Sequence, residues 1–141
     1  MATRADKFTA TAKKQEIFSD FLNSFEPNPF MGQLGRVTNE ESIKQALKNL
    51  VLTNTGERFY DSNKGSKIRN SLFENFDSGM LDLVQLQLQS SIELYEPRCQ
   101  ILKVGVANSL DGNAYAINIV FAIKTFPGQA FNLNLSISRV R

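Results

Sequence analysis

The residues best placed to do chemistry gather around Tyr95-Glu96-Pro97-Arg98. Pro97 has no N–H and a fixed φ, and it pushes Glu96 away from the α region. An extended junction would project Glu96 and Arg98 to one side, with Pro97 facing the other way. Glu93, Glu57 and Asp61 are the carboxylates that could work with Glu96. Two carboxylates across a sugar-binding cleft are what glycoside hydrolysis usually needs, one of them held protonated. Arg98 beside Glu96 favours its ionised form, the wrong form for a general acid. The chain has no Trp to stack on sugars, although Tyr60 and Tyr95 could, and it has no His. The commonest general base is therefore missing, and a Ser or Cys nucleophile lacks its usual partner. The single cysteine, Cys99, cannot form an internal disulfide; with no histidine, it argues against a structural zinc site. No glycine-rich loop matches a phosphate or dinucleotide pattern. The chemistry left is recognition, with no catalytic residue, metal or cofactor. As an exposed ion pair, Glu96 and Arg98 contribute only about 0–1 kcal/mol. As a pair fixed around a proline, they can bind a partner. Arg98 presents a planar fork of donors to carboxylates or helix-end carbonyls, and Glu96 accepts from N–H groups or a basic side chain.

The elements that must position this pair are legible from periodicity. Leu81, Val84, Leu88, Ile92 and Tyr95 recur at helical spacing, predicting a helix over about 80–95. Leu83, Leu86 and Leu94 widen its apolar surface, as in a helix covered on more than one side, by the sheet and by another helix or a partner. An earlier helix starts at Thr38, where Thr38 and Glu41 have capping-box spacing. Its apolar face is Ile43, Ala46, Leu47, Leu50 and Val51, and Thr53-Asn54-Thr55-Gly56 ends it. Residues 57–65 read as a loop, with Arg58 to Tyr60 a candidate extended piece. Ile68, Leu72, Phe73 and Phe76 suggest a brief helix stopped near Asp77-Ser78-Gly79. After Pro97 the period becomes two. Leu102, Val104 and Val106 share a face, as do Tyr115, Ile117, Ile119, Phe121 and Ile123. Phe131, Leu133, Leu135 and Ile137 alternate with Asn132, Asn134, Ser136 and Ser138. Turns at Asn108–Asn113 and Phe126–Gln129 imply an antiparallel meander. The fold class is α+β: two layers, with helices on a meander of about three strands.

Ahead of this domain, residues 1–37 read as an arm and 38–141 as the domain. Met1 to Lys14 are polar and mixed in charge, a flexible tail or an arm that orders on a partner. Ile17, Phe18, Phe21, Leu22 and Phe25 have helical spacing, so the arm should carry a short amphipathic helix. Glu26-Pro27-Asn28-Pro29 then reads as a stiff linker. Phe18, Phe21, Leu22 and Phe25 either pack back on the domain or dock on a neighbour.

Composition narrows the partners. The 141 residues suit one domain able to bury its own core. A net charge of +2 with no basic run disfavours nucleic acid. No apolar run reaches membrane-spanning length, and there is no signal-peptide core. One cysteine suits a reducing compartment.

The order Gly56-Glu57-Arg58-Phe59, Gly65, Leu72-Phe73-Glu74-Asn75 and Glu96-Pro97-Arg98 resembles the baseplate wedge proteins of contractile-tailed phages. That family was once labelled lysozyme-like and is now seen as the sheath initiator; the E subunit of type VI secretion baseplates is similar. The resemblance runs from about Thr38 to about Ile137, with Glu-Pro-Arg its most specific motif. The chain departs from the family at Arg58-Phe59-Tyr60 and Ser62, where Arg-Pro-Phe and a second proline are usual. The resemblance implies a structural subunit of the virion tail baseplate, assembled in the host cytoplasm. It implies that Glu96, Pro97 and Arg98 seat on a helical bundle of other wedge subunits. It also implies that the last strand, with Asn132, Asn134 and Ser136, offers an edge to the tail sheath protein. Tail tube and hub proteins are further candidate partners; nucleic acid and membrane are not. The alternatives are a small interaction module of other context and a muramidase.

Overall fold

The structure is a computed structural model that describes residues 16–74, 78–108, 114–126 and 128–138. The polar tail at Met1–Lys14, Phe76, most of the 108–113 turn and Pro127 lie outside the described residues. Strand β1 (Ser19–Phe21) pairs antiparallel with β2 (Arg36–Thr38), and helix α1 (Asn39–Leu52) follows directly. A short helix α2 (Ile68–Ser71) and the long α3 (Ser78–Tyr95) lead into strands β3 (Cys99–Asn108), β4 (Ala114–Ile123) and β5 (Ala130–Ser138). The last three form an antiparallel sheet in the order β3-β4-β5, the meander that the short connections require.

One face of this sheet packs under α3 and α1, with α3 along β3 and α1 reaching β5. The core between the layers holds Ile43, Leu47, Leu50 and Val51 of α1 and Val84, Leu88 and Ile92 of α3. From β4 it takes every second residue from Tyr115 to Ile123. Those five side chains are all buried because a period-two strand under helices hides one face completely. Tyr115 keeps its hydroxyl satisfied inside the core by donating to the Ser71 carbonyl, at 3.2 Å.

Three expectations need correction. Residues 17–25 form no helix: Ser19–Phe21 is a strand, and the double-proline stretch folds back instead of running on as a linker. Pro27 bridges Leu34, Asn28 N–H donates to Gln33, and Gly35 N–H donates to Glu26. Nine residues are too few to sustain an isolated helix. The turn chemistry from Asn28 to Gly32 lets the segment pair with β2 instead. On the first strand of the main sheet, the inward residue is Ile101, and Leu102 is 55% exposed. A β-bulge between Ile101 and Lys103 inserts one residue, so the alternation reverses across it. Finally, of the two further covers expected for α3, another helix or a partner, no helix of the described chain lies over Leu83, Leu86 and Leu94, which remain exposed.

Smaller differences sit at element ends. Thr38 is the N-cap of α1, but its side chain makes no capping hydrogen bond. α3 begins at Ser78, where a stop was expected. Arg58–Tyr60 forms no strand; the only pairing beside this loop is an isolated parallel bridge between Asn54 and Ser66.

Candidate protein interface

The helix stop falls where the proline demands: α3 ends at Tyr95, and the Glu96 N–H still donates to the Ile92 carbonyl at 2.8 Å. The junction beyond it is a tight turn, not the extended dipeptide expected. Cys99 N–H reaches back to the Glu96 carbonyl across Pro97 and Arg98, at 3.4 Å. Proline suits the second position of such a turn because its φ is already set. The turn still brings the charged pair together. Arg98 donates from Nε to Glu96 Oε1 at 2.5 Å and from Nη2 to Oε2 at 2.9 Å. This is the bidentate fork, about twice as strong as a neutral hydrogen bond.

Glu96 is only 7% exposed, which overturns the surface-pair estimate. A buried carboxylate must keep its partner, because removing one member leaves an uncompensated charge. The bond to Glu96 raises the Arg98 guanidinium above its ordinary range, with nearby Asp20 adding to the effect. A small cavity of about 220 Å³ opens beside the pair. Asp20, Asn49, Arg58, Lys64, Tyr95, Glu96 and Arg98 are among the residues that line it. Glu57, Glu93 and Asp61 do not reach it. Glu57 accepts from the Asn54 N–H and Glu93 from Gln89, so the expected partner carboxylates are spread over other surfaces. Among the described residues Asp20 is the one other carboxylate lining this cavity, close enough for its charge to act on Arg98, while the hydrogen bonds of Arg98 go to Glu96. That arrangement suits binding of a charged or hydrogen-bonding partner group more than proton transfer.

The four apolar residues of the arm separate. Phe18 packs against the core edge and lays its ring on Arg98, with the guanidinium 5.5 Å from the ring centroid. Leu22 is half-buried. Phe21 is half-exposed with Arg36 against its ring, and Phe25 is 67% exposed at a φ of 53°. Phe18 is therefore part of the domain, whereas Phe25 is displayed. On β5, Asn132, Asn134 and Ser136 lie on the exposed face, and Asn118 of β4 donates to both asparagines. Strand β5 has a strand partner on one side only among the described residues.

Sequence reasoning missed Asp20, Asn39, Arg58 and Lys64. Asn39 is 2% exposed; its Oδ1 accepts from the Ile17 and Phe18 N–H groups. The signal was available for Asn39 alone: an Asn at the first turn of a helix is suited to bonding nearby backbone. The other three come together only through the hairpin and the 57–65 loop.

The chain is thus a two-layer α+β domain with a charged turn at the helix-to-sheet junction and a last strand paired on one side only among the described residues. The family described as baseplate wedge protein gp25 matches residues 37–127, more than half of the chain, and the chain belongs to it. The baseplate wedge protein gp25 of Enterobacteria phage T4 is 29% identical over 97 residues, 69% of this chain and 74% of that protein. Among solved structures, a Geobacter sulfurreducens chain designated a tail lysozyme superposes with a TM-score of 0.67 at 22% identity. It covers 74% of this chain and 95% of its own. A chain of the type VI secretion baseplate complex gives 0.61 at 14% identity, covering 72% and 93%. These two likenesses establish the fold.

Proposed function

We propose that this chain is a non-enzymatic subunit of a contractile-tail baseplate wedge with two working surfaces. The turn at Glu96, Pro97 and Arg98 seats on other wedge subunits. Strand β5 pairs with a strand of the tail sheath protein and so starts the sheath. Phe21 and Phe25 add an apolar contact to a neighbouring subunit. The site of action is the virion tail, with assembly in the host cytoplasm and contact to tail tube or hub proteins.

The observation that carries this reading is the contrast between the two sheet edges. β3 is blunted as soluble proteins usually blunt an edge, by a bulge at Leu102 followed by Lys103. β5 has no such device: its nine pairs with β4 run from Ala130 to Ser138 without a register shift. It contains no proline and no charged residue. An undefended edge of this length suits main-chain pairing with another strand.

Two substitutions test the two surfaces. Asn134→Pro removes one donor from the ladder. A folded Asn134→Pro protein should assemble into wedges but nucleate sheath slowly; a normal rate removes β5 from the mechanism. Arg98→Lys keeps a charge beside buried Glu96 but loses the planar fork. It should stay folded and bind wedge partners roughly tenfold or more weaker, as loss of a charged interfacial contact does. Unchanged capture of wedge partners would rule out the seat.

A further inference from the structure

The segment before Val37 lies outside the stretch that matches the wedge family, yet it contributes Asp20 to the junction cavity and Phe18 to the surroundings of Arg98. Arg98 is gripped on its edge by Glu96, and its guanidinium carbon lies over the Phe18 ring, 5.5 Å from the centroid. Phe18 is held in turn by Asn39. Asn39 Oδ1 accepts from Ile17 N–H at 2.9 Å and from Phe18 N–H at 3.3 Å. Asn39 N–H donates to the Phe18 carbonyl at 2.7 Å. Asn39 can reach both sides of that peptide because its φ is 49°, a conformation asparagine tolerates better than most residues. Asp20 follows two residues later and faces Arg98 across the cavity. A carboxylate alone leaves a guanidinium free to rock about the line of its two hydrogen bonds. An aromatic ring beside it restricts that freedom and shields one side from water.

We propose that the β1–β2 hairpin is a strap that positions Arg98. Phe18, locked by Asn39, fixes the guanidinium plane, so the donors not used by Glu96 point one way, toward a partner's carboxylate or helix-end carbonyl. Phe18 is a positioning residue; it acts through Arg98. This rests on the reading of the junction as a seat. Donors oriented in advance lose less freedom on binding, which strengthens the contact without adding one.

The test uses the full-length protein labelled with ¹⁵N, so that the Arg98 Nε–H signal can be followed by NMR. Phe18→Leu keeps apolar volume but loses the ring. It should raise water exchange of that Nε–H by roughly threefold to tenfold, the range a cation–π contact supports. The backbone signals of the three-stranded sheet should stay in place. Phe18→Tyr should restore slow exchange. Asn39→Gly keeps the positive φ, removes the Oδ1 acceptor and leaves Phe18 itself intact; it should loosen Arg98 in the same way. Capture of wedge subunits should fall with Phe18→Leu and recover with Phe18→Tyr. If the Nε–H exchanges equally slowly in Phe18→Leu and Asn39→Gly, the strap is overturned. The Arg98→Lys capture experiment judges the seat separately, since the Nε–H measurement needs no partner.

Discussion

Glu96 shows how burial changes the meaning of a residue pair. Read along the chain, Glu96 and Arg98 are two charges around a proline. Folded, the carboxylate is enclosed and the arginine is its counter-ion. Arg98→Ala should therefore cost the monomer roughly 2–3 kcal/mol, less than full loss of a buried pair because Arg98 is partly open to water. That is why the lysine variant is the cleaner probe of binding. Gly65 is a second residue defined by its surroundings. Its φ is 147°, and a Cβ there would lie 2.7 Å from the Thr53 carbonyl oxygen. Gly65→Ala should destabilise by about 3 kcal/mol, combining backbone strain with a clash against main chain. Urea unfolding will measure it, and a cost under about 1 kcal/mol would show that the loop can yield. Cys99 sets an alkaline limit. Burial, helped by the Glu96 charge, pushes its thiol from 9.0 up to about 11. The folded protein therefore holds this proton more tightly than the unfolded chain does. The associated stability is complete below about pH 9 and is lost as pH rises toward about 11. Against Cys99→Ala, the unaltered protein should lose stability more steeply across that window; parallel curves would contradict the assignment.

At the scale of elements, the long periodic segments were legible and the short ones were not. α1 and α3 follow their apolar spacing because three or more turns of stripe leave one packing solution. β1 was misread because five apolar residues in nine fit a helix as well as a half-exposed strand, and only pairing with β2 decides. The β3 bulge was equally invisible: Leu102 and Ile101 are both apolar, so alternation alone cannot say which faces inward. Deleting Leu102 should test this directly. Without the extra residue, pairing with β4 becomes continuous, and Cys99, Ile101, Val104 and Val106 all stay on the inward face. The variant should therefore stay folded and lose less than about 1 kcal/mol, the range of changes that leave the core in place. A loss of roughly 2–4 kcal/mol in urea unfolding, the scale of turning one or two large aliphatic side chains outward, would contradict this register.

For the whole molecule, the question is whether the hairpin belongs to the domain. Phe18 packs on the core edge, Asn39 ties its backbone, and β1 pairs with β2. Removing residues 1–22 should therefore lower the melting temperature by roughly 10 °C, corresponding to about 2–3 kcal/mol in a chain of this size. The three-stranded sheet should survive, because its core comes from α1, α2, α3 and β3 to β5. An unchanged melting temperature would show the hairpin to be an independent arm. The distinction matters for assembly: a strap fixed to the domain presents Phe25 from a set position, whereas a free arm would order only on its partner.

By itself, the sequence determined the class of fold, the place where helix gives way to sheet, the core faces of α1, α3 and β4, and the family. The first three follow from local rules: a proline that cannot continue a helix, and apolar periods of 3.6 and 2 that hide one face; the family was carried by the resemblance of its motifs. Tertiary structure decided what those rules leave degenerate. It chose strand over helix for Ser19–Phe21 and placed the bulge at Leu102. It buried Glu96, and it gathered Asp20, Arg58, Lys64 and Arg98 around one cavity from separate parts of the chain. The physical reason is that charge and burial at a site are sums over neighbours distant in sequence. Asp20 and Arg98 line one cavity only because Asn39 anchors a hairpin that periodicity alone did not reveal.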